Sequence, residues 1–264
     1  MKNDLFSIGP VVIHGYGLMI ALGFLLCVIM AMYRAKKYEL NSEAVLDIAL
    51  FGIVAGFLGS KLLFVIVEFP AFLKNPMQIL GSEGFVVYGG VIAGVLAGVI
   101  YCRVKKLEFF KYFDLAAPSI ALAQGFGRIG CFLAGCCYGR ETDSVFGVTF
   151  PAGSMAPAGV KLIPTQLLSS AGDFIVLLIL ILFHKRSRHT GDVGALYMLL
   201  YGVGRFVLEF FRSDERGTVG ILSTSQAISI AVVIGAVLLF VWNRKRGEKA
   251  AEEPEKDETQ KEEA

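Results

Sequence analysis

"VLDIALFGIVAGFLGSKLLFVIV", residues 45–67, is a run of apolar side chains broken by few polar ones. The hydrocarbon core of a bilayer is about 30 Å thick and asks for roughly 20 mostly apolar residues per helical crossing. This run meets that length, and reading it as a membrane helix decides the class of everything around it. Working outward, six further runs of the same kind occupy about 16–33, 85–102, 114–133, 167–183, 194–211 and 222–242. The expected fold is an all-α polytopic membrane protein with about seven transmembrane helices. Composition agrees, since 55% of the 264 residues are hydrophobic and the mean hydropathy is +0.63, above the range of soluble domains.

Cytoplasmic loops of membrane proteins accumulate lysine and arginine. Here Arg34, Lys36 and Lys37 follow the first run, and Arg103, Lys105, Lys106 and Lys111 follow the third. Lys185, Arg186 and Arg188 follow the fifth, and Arg244, Lys245 and Arg246 the seventh. The odd-numbered spans then exit on one side, which places the N-terminus outside and the C-terminus in the cytoplasm, with Trp242 as an interfacial anchor. The first run is too long, and lacks the basic leader, for a removable signal peptide, and is read as a retained helix. Topology accounts for the basic loops, so they give no case for nucleic acid. The expected organisation is a transmembrane domain over 1–243 and a disordered charged tail over 244–264, where "GEKAAEEPEKDETQKEEA" has too few apolar side chains to offset the entropy of ordering.

Two of the runs contain charges that a bilayer disfavours. Arg128 lies in the fourth, and Arg205 and Glu209 in the sixth. In "YGVGRFVLEFFRSDERG", residues 201–217, Tyr201, Arg205, Glu209 and Arg212 fall on one helix face within a stripe roughly 80° wide. Insertion scales charge about 2.5–3.5 kcal/mol for each such residue at a helix centre, so the two should pair and face a cavity. Two readings follow: an ion pair that only holds helices together, or a polar ligand pocket. The second is favoured because Arg128 adds a third charge from another span. Arginine keeps its proton and offers a planar fork suited to phosphate. In a membrane cavity that phosphate belongs first to a phospholipid. Lys61 either joins the arginines or snorkels to the surface.

Small residues at four-residue spacing let membrane helices approach closely. Gly52 and Gly56 do so in the second run, and Gly90, Gly94 and Gly98 in the third. Gly89 and Gly90 together have a further reading, exposure of backbone N–H groups to an anion. The segment from about 134 to 165, punctuated by Gly139, Gly147, Pro151, Gly153, Pro157, Gly159 and Pro164, is the longest external loop and the candidate lid or polypeptide-binding surface. Cys27 and Cys102 read as small core residues. Cys131, Cys136 and Cys137 have C-x4-C-C spacing without paired C-x2-C units or a nearby histidine, so no metal site is expected. A disulfide, plain packing and a reactive resident thiol stay open for them.

At this point the segments "HGYGLM" (14–19), "GGVIAG" (89–94), "GRIG" (127–130) with Gly135 and "YGR" (138–140), "PTQL" (164–167) and "YGVGRFVLEFFR" (201–212) resemble the bacterial prolipoprotein diacylglyceryl transferases. The resemblance covers nearly the whole chain apart from the acidic tail. It implies an inner-membrane, multi-pass enzyme of lipoprotein biosynthesis that takes the diacylglyceryl group of phosphatidylglycerol and attaches it by a thioether to the lipobox cysteine of a preprolipoprotein. Glycerol phosphate is released and no cofactor is implied. Carried over by position, Arg205, Glu209, Tyr201 and Tyr88 become catalytic candidates, and Arg128, Tyr16, Gly89, Gly90, Gly139, Lys61, Gln166 and Arg212 substrate-binding ones.

The chain also departs from the family pattern. Cys131 and Cys136 stand where well-studied members have Asn and Glu, and Tyr88 stands where they have His. Leu168 and Ser169 replace the usual Tyr and Glu. With a free pKa of about 10, Tyr88 is a poorer base than histidine, which shifts the expected catalysis toward electrostatics. Alternatives are a divergent member with another acceptor or a resident cysteine intermediate, and a phospholipid or anion carrier that does no chemistry.

Overall fold

Each apolar run becomes a helix because a backbone in lipid must satisfy its own N–H and C=O groups. A computed structural model describes residues 4–8, 11–82, 84–187, 189–213 and 217–262. In chain order these form β1 (Asp4–Ile8), β2 (Val11–His14), α1 (Gly15–Lys37), α2 (Ser42–Val67), α3 (Phe69–Lys74), α4 (Pro76–Gly81), α5 (Val87–Val104) and α6 (Phe109–Ala134). There follow β3 (Val148–Thr149), β4 (Lys161–Leu162), α7 (Thr165–His184), α8 (Asp192–Glu209), β5 (Thr218–Val219), β6 (Leu222–Ser223) and α9 (Thr224–Glu262). Arg188, one of the basic loop residues, lies outside the described residues, as do 263–264 of the expected tail. Side chains of α9 are described as far as Arg246.

Among the described residues, five helices are long and apolar enough to cross a membrane: α1, α2, α5, α7 and the Thr224–Arg246 part of α9. The two remaining runs also fold as helices, α6 carrying Asp114 and Arg128, and α8 carrying Asp192, Arg205 and Glu209. The protein is mostly helical, as expected, and among the described residues three two-stranded antiparallel ribbons, β1–β2, β3–β4 and β5–β6, accompany the helices. A window long enough to find a membrane span averages over strands of two to five residues, so hydropathy is blind to them.

Packing divides the chain into two units, Ala31–Tyr112 on the one hand and Met1–Met30 with Phe113–Ala264 on the other. Within Ala31–Tyr112, Asn41 starts α2 by accepting hydrogen bonds from the N–H groups of Glu43 and Ala44 at 2.8 and 3.3 Å, which satisfies two orphan donors of the first turn. Helices α2 and α5 then meet backbone to backbone. A Cβ at Gly59 would overlap the Ala93 Cβ and come within 2.6 Å of the Gly89 carbonyl oxygen. One at Gly90 would collide with Ser60 and lie 2.8 Å from the Gly56 oxygen. The expected glycine contact is therefore real: Gly52 and Gly56 lie against Gly94 and Gly90, and the approach is tightest at Gly59 and Gly89, while a Cβ on Gly52 itself would meet nothing within 4 Å among the described residues. Tyr101 of α5 also donates to Asp47 of α2 at 2.6 Å, a polar pair inside both apolar runs.

In the other unit, α6 supplies the anchor for α8. The Asp114 carboxylate accepts from the N–H groups of Gly191 and Gly194 at 2.6 and 2.8 Å, a negative charge at the positive end of the helix dipole. Asn243 of α9 donates to Asp192 at 3.0 Å in the same place. Ala117 and Ala121 of α6, Leu180 of α7 and Val193 of α8 form a closed core beside it. On α7, Ser170 donates to the Gly125 carbonyl at 2.9 Å, and a Cβ on Gly202 of α8 would press within 2.8 Å of Val233 on α9. These contacts fix the rotation of α6 and α8 about their axes, and hence where Arg128 and Arg205 point.

Overpacking a close helix contact costs about 1–3 kcal/mol. Gly59→Ala is accordingly expected to lower the thermal unfolding midpoint in detergent, whereas Gly52→Ala leaves it within error. Equal midpoints for the two variants would contradict the α2–α5 contact described.

Candidate active site

Arg205 and Glu209 sit one turn apart on α8, and their side chains form an ion pair, Nη1 to Oε2, at 2.8 Å. Both are largely buried, at 10% and 7% exposure. The other arm of the guanidinium, Nη2, donates to Ser225 Oγ at 2.8 Å. Ser225 lies in the first turn of α9 and is itself buried. The arginine fork therefore ties α8 to α9 while Glu209 balances its charge. Both readings offered by the sequence, ion pair and polar pocket, start from this one arrangement.

A turn before Arg205, the Tyr201 ring stacks on Tyr197 with centroids 5.9 Å apart. Tyr197 in turn donates to Gln124 of α6 at 3.0 Å, and Gln124 precedes Arg128 by one turn. Arg128 lies within electrostatic reach of Tyr201, Cys131, Asp173 and Cys137. Tyr16, at the start of α1, is in reach of Arg128 and of Cys131, Cys136 and Cys137. Side chains from α1, α6, α7 and α8 thus gather around Arg128. Asp173 was missed in the sequence reading, although a lone carboxylate inside the apolar run 167–183 is itself a signal.

The chain leaving α6 turns sharply. Gly135 has φ +73° and Cys137 φ +63°, the second a costly angle for a residue with a Cβ. The turn is held from below by the first residues of α7: Thr165 donates its hydroxyl to the Cys137 carbonyl at 2.8 Å, and Gln166 its amide to the Cys136 carbonyl at 2.7 Å. Gln166, a substrate-binding candidate, is thus a buried brace, and its Oε1 has no hydrogen-bond partner among the described residues. Cys131, Cys136 and Cys137 are half-buried, and their sulfur atoms all lie within 4.8 Å of one another. No disulfide joins them. The Cys137 thiol is pulled below its ordinary pKa by hydrogen bonds with Cys131 and Cys136, helped by the charge and a hydrogen bond of Arg212.

Gly139 sits at a junction of three strands of chain. Its N–H donates to Ile163 O at 2.9 Å, and the next N–H, of Arg140, donates to Phe211 O at 3.0 Å. Gly139 is also paired with Arg212 in an antiparallel bridge. A Cβ there would lie 2.7 Å from Phe211 O, 2.8 Å from Ile163 O and 2.8 Å from Thr165 Cγ2. The segment from 134 to 165 is consequently not loose chain: Phe150, Ala156 and Leu162 form a small core of their own, backed by Phe132, Tyr138 and Val160.

The remaining candidates belong to the Ala31–Tyr112 unit. The Lys61 ammonium donates to Ser82 O at 2.7 Å, Gly84 O at 3.3 Å and Ser82 Oγ at 3.4 Å. It also lies over the Phe64 and Phe85 rings, at 5.1 and 5.0 Å. All its donors are engaged in bracing the turn before α5. Gly89 donates its N–H to Val86 O at 3.0 Å and, with Gly90, forms the close contact with α2. The geometry of both glycines is that of packing. Tyr88, between Val87 and Gly89 in the first turn of α5, is exposed.

Fold and site together define a multi-pass membrane protein in which charged side chains and thiols gather between helices. The chain matches the family described as "Prolipoprotein diacylglyceryl transferase" over residues 3–242, and it belongs to that family. A phosphatidylglycerol--prolipoprotein diacylglyceryl transferase of Clostridium tetani is 45% identical over 248 residues, covering 93% of this chain and 99% of the relative. The Clostridium perfringens protein named phosphatidylglycerol--prolipoprotein diacylglyceryl transferase 2 is 43% identical, covering 94% and 98%. One from Clostridioides difficile is 32% identical, covering 93% and 97%.

Because two backbone carbonyls and the Thr165 methyl press on Gly139, Gly139→Ala is expected to pry Ile163 and Phe211 away from the turn. Limited trypsin digestion should then cut at Arg140 several-fold faster than in the parent protein. Unchanged cleavage would contradict the junction.

Proposed function

We propose that this chain transfers the diacylglyceryl group of phosphatidylglycerol to the lipobox cysteine of preprolipoproteins. The observation that carries the reading is the family match over residues 3–242, which spans the whole Arg128, Tyr201, Arg205 and Glu209 neighbourhood. In the reaction the acceptor sulfur bonds to the glyceryl carbon, the bond from that carbon to the phosphate oxygen breaks, and the thiol proton leaves with glycerol phosphate. The chemistry asks for a more nucleophilic thiol and a better leaving group, and fixed positive charge serves both needs.

Arg128 holds the lipid phosphate, and Arg205 neutralises charge as the phosphate departs. Glu209 orients Arg205, supported by their 2.8 Å ion pair. Tyr201 and Tyr16 donate hydrogen bonds to phosphate or glyceryl oxygens, supported by their nearness to Arg128. Gly139, Gln166 and Arg212 position the turn that follows α6 in the substrate's vicinity. Tyr88 is retained as a catalytic candidate on the resemblance alone. Lys61, Gly89 and Gly90 act through the turn and the helix contact they stabilise.

The finer topology belongs to the same proposal. Seven spans, with α6 and α8 as the two charged ones, place the N-terminus outside and the C-terminus in the cytoplasm, and put the protein in the bacterial inner membrane. Residues 1–243 then form the transmembrane enzyme and 244–264 a charged cytoplasmic tail.

Purified Arg128→Ala and Arg205→Ala variants, assayed for transfer from phosphatidylglycerol to a lipobox peptide, are expected to lose about 10²–10³ in rate, and Glu209→Gln to lose less. Near-normal transfer by either arginine variant would overturn its role. Binding of labelled lipid with no glycerol phosphate released by the parent protein would show a carrier instead.

A further inference from the structure

Cys131, Cys136 and Cys137 are thiols that the proposed transfer does not use, and the first two are among the positions where the chain departs from the family pattern. Their sequence spacing carries no metal signature, yet the fold closes them into one cluster. Cys131 lies in the last turns of α6, and the turn through Gly135 brings Cys136 back, its N–H donating to the Cys131 carbonyl at 3.1 Å. The left-handed φ of +63° at Cys137 swings the third thiol round to the same point. All three sulfur atoms then lie within 4.8 Å of one another.

We propose that these three cysteines form a three-thiolate site for a thiophilic d¹⁰ cation, Zn²⁺ or Cu⁺. A tetrahedral ion with metal–sulfur bonds of about 2.3 Å holds its sulfurs about 3.8 Å apart, so the cluster needs only small side-chain rotations to close on it. Thiolate sets select zinc and cuprous copper over harder ions.

A disulfide would use two of the sulfurs and strand the third. A central ion uses the mutual closeness of all three. Three thiolates concentrate negative charge, and two guanidinium groups face them, Arg128 toward Cys131 and Arg212 toward Cys137. The carbonyls of Cys136 and Cys137 are fixed by Gln166 and Thr165, so the ligand-bearing backbone is rigid. Half-burial of all three side chains leaves an ion a way in.

The test uses the full-length protein, reduced, stripped of metal and held in detergent. Zn²⁺ and Cu⁺ are titrated in separate arms against chromophoric competitors, and Co²⁺ is added to read thiolate-to-metal charge transfer. One equivalent of Zn²⁺ or Cu⁺ per chain is expected, and the arm with the tighter binding identifies the ion. Cys131→Ser, Cys136→Ser and Cys137→Ser should each weaken binding by at least about 100-fold, while Cys27→Ser binds as the parent does. Bound ion should also shield the three thiols from alkylation, read by peptide mass mapping of the unmutated chain. That arm holds even if a serine variant fails to fold. The proposal is overturned if neither ion binds stoichiometrically, if the serine variants bind as tightly as the parent, or if mapping of unreduced protein finds two of the three cysteines joined and the reduced protein ignores metal. None of these readouts depends on lipid transfer, so failure here is separate from failure of the proposed activity.

Discussion

A guanidinium group cannot discard its proton to enter a membrane, and the rest of the site follows from that constraint. Arg205 is 10% exposed, so its charge must be met where it lies. Glu209 meets it one turn along the same helix, and Ser225 takes the second arm from the start of α9. An arginine so fully held is unlike a flexible surface cation. It presents its charge from a fixed place, which is what stabilisation of a departing phosphate requires. The same logic extends to Arg128, around which Tyr16, Cys131, Asp173 and Tyr201 are gathered from four helices and Cys137 from the turn after α6.

Rigidity of that kind has to be built into the helices that carry the charges. Helix α8 starts where the Asp114 carboxylate receives Gly191 and Gly194 N–H groups, and its middle is pressed against α9 at Gly202. Rotating α8 by one residue would break the cap and carry Arg205 away from Ser225 together. The chain that leaves α6 is held in a comparable way, by Thr165 and Gln166 below and by the Gly139 junction above. Polar groups that look like ligand candidates in the sequence also have structural partners. Lys61 spends its three hydrogens on the turn at Ser82 and Gly84, and Gln166 donates its amide to Cys136.

How far the sequence could be read depended on the range over which each signal acts. Hydropathy sums over some twenty residues, so helices at all seven apolar runs were legible, and the charge stripe on residues 201–212 announced the Arg205–Glu209 pair. Glycine spacing announced that α2 and α5 approach closely. It named the right face of α2, since a Cβ on Gly94 would lie 3.6 Å from the Gly52 carbonyl oxygen, but not the tightest point of the contact, which falls at Gly59 against Gly89. Asp114 and Asp173 were overlooked although isolated carboxylates in apolar runs are informative. The ribbons of two to five residues and the small core around Phe150 had no signal of sufficient length.

The thiols show most plainly why local pattern was not enough. Metal motifs in a sequence record ligands brought together by a standard turn, and C-x4-C-C matches none. Here the closure depends on two backbone angles, φ +73° at Gly135 and φ +63° at Cys137, and the second is one that a cysteine seldom adopts. Such an angle persists only where surrounding contacts over-determine it, and the Thr165 bond to the Cys137 carbonyl supplies one. The same turn sets the position of Gly139 two residues later, while Arg128 precedes Cys131 by three on the helix that feeds it. Charge, thiols and junction are therefore consecutive features of one short length of chain, and displacing any of them moves the other two.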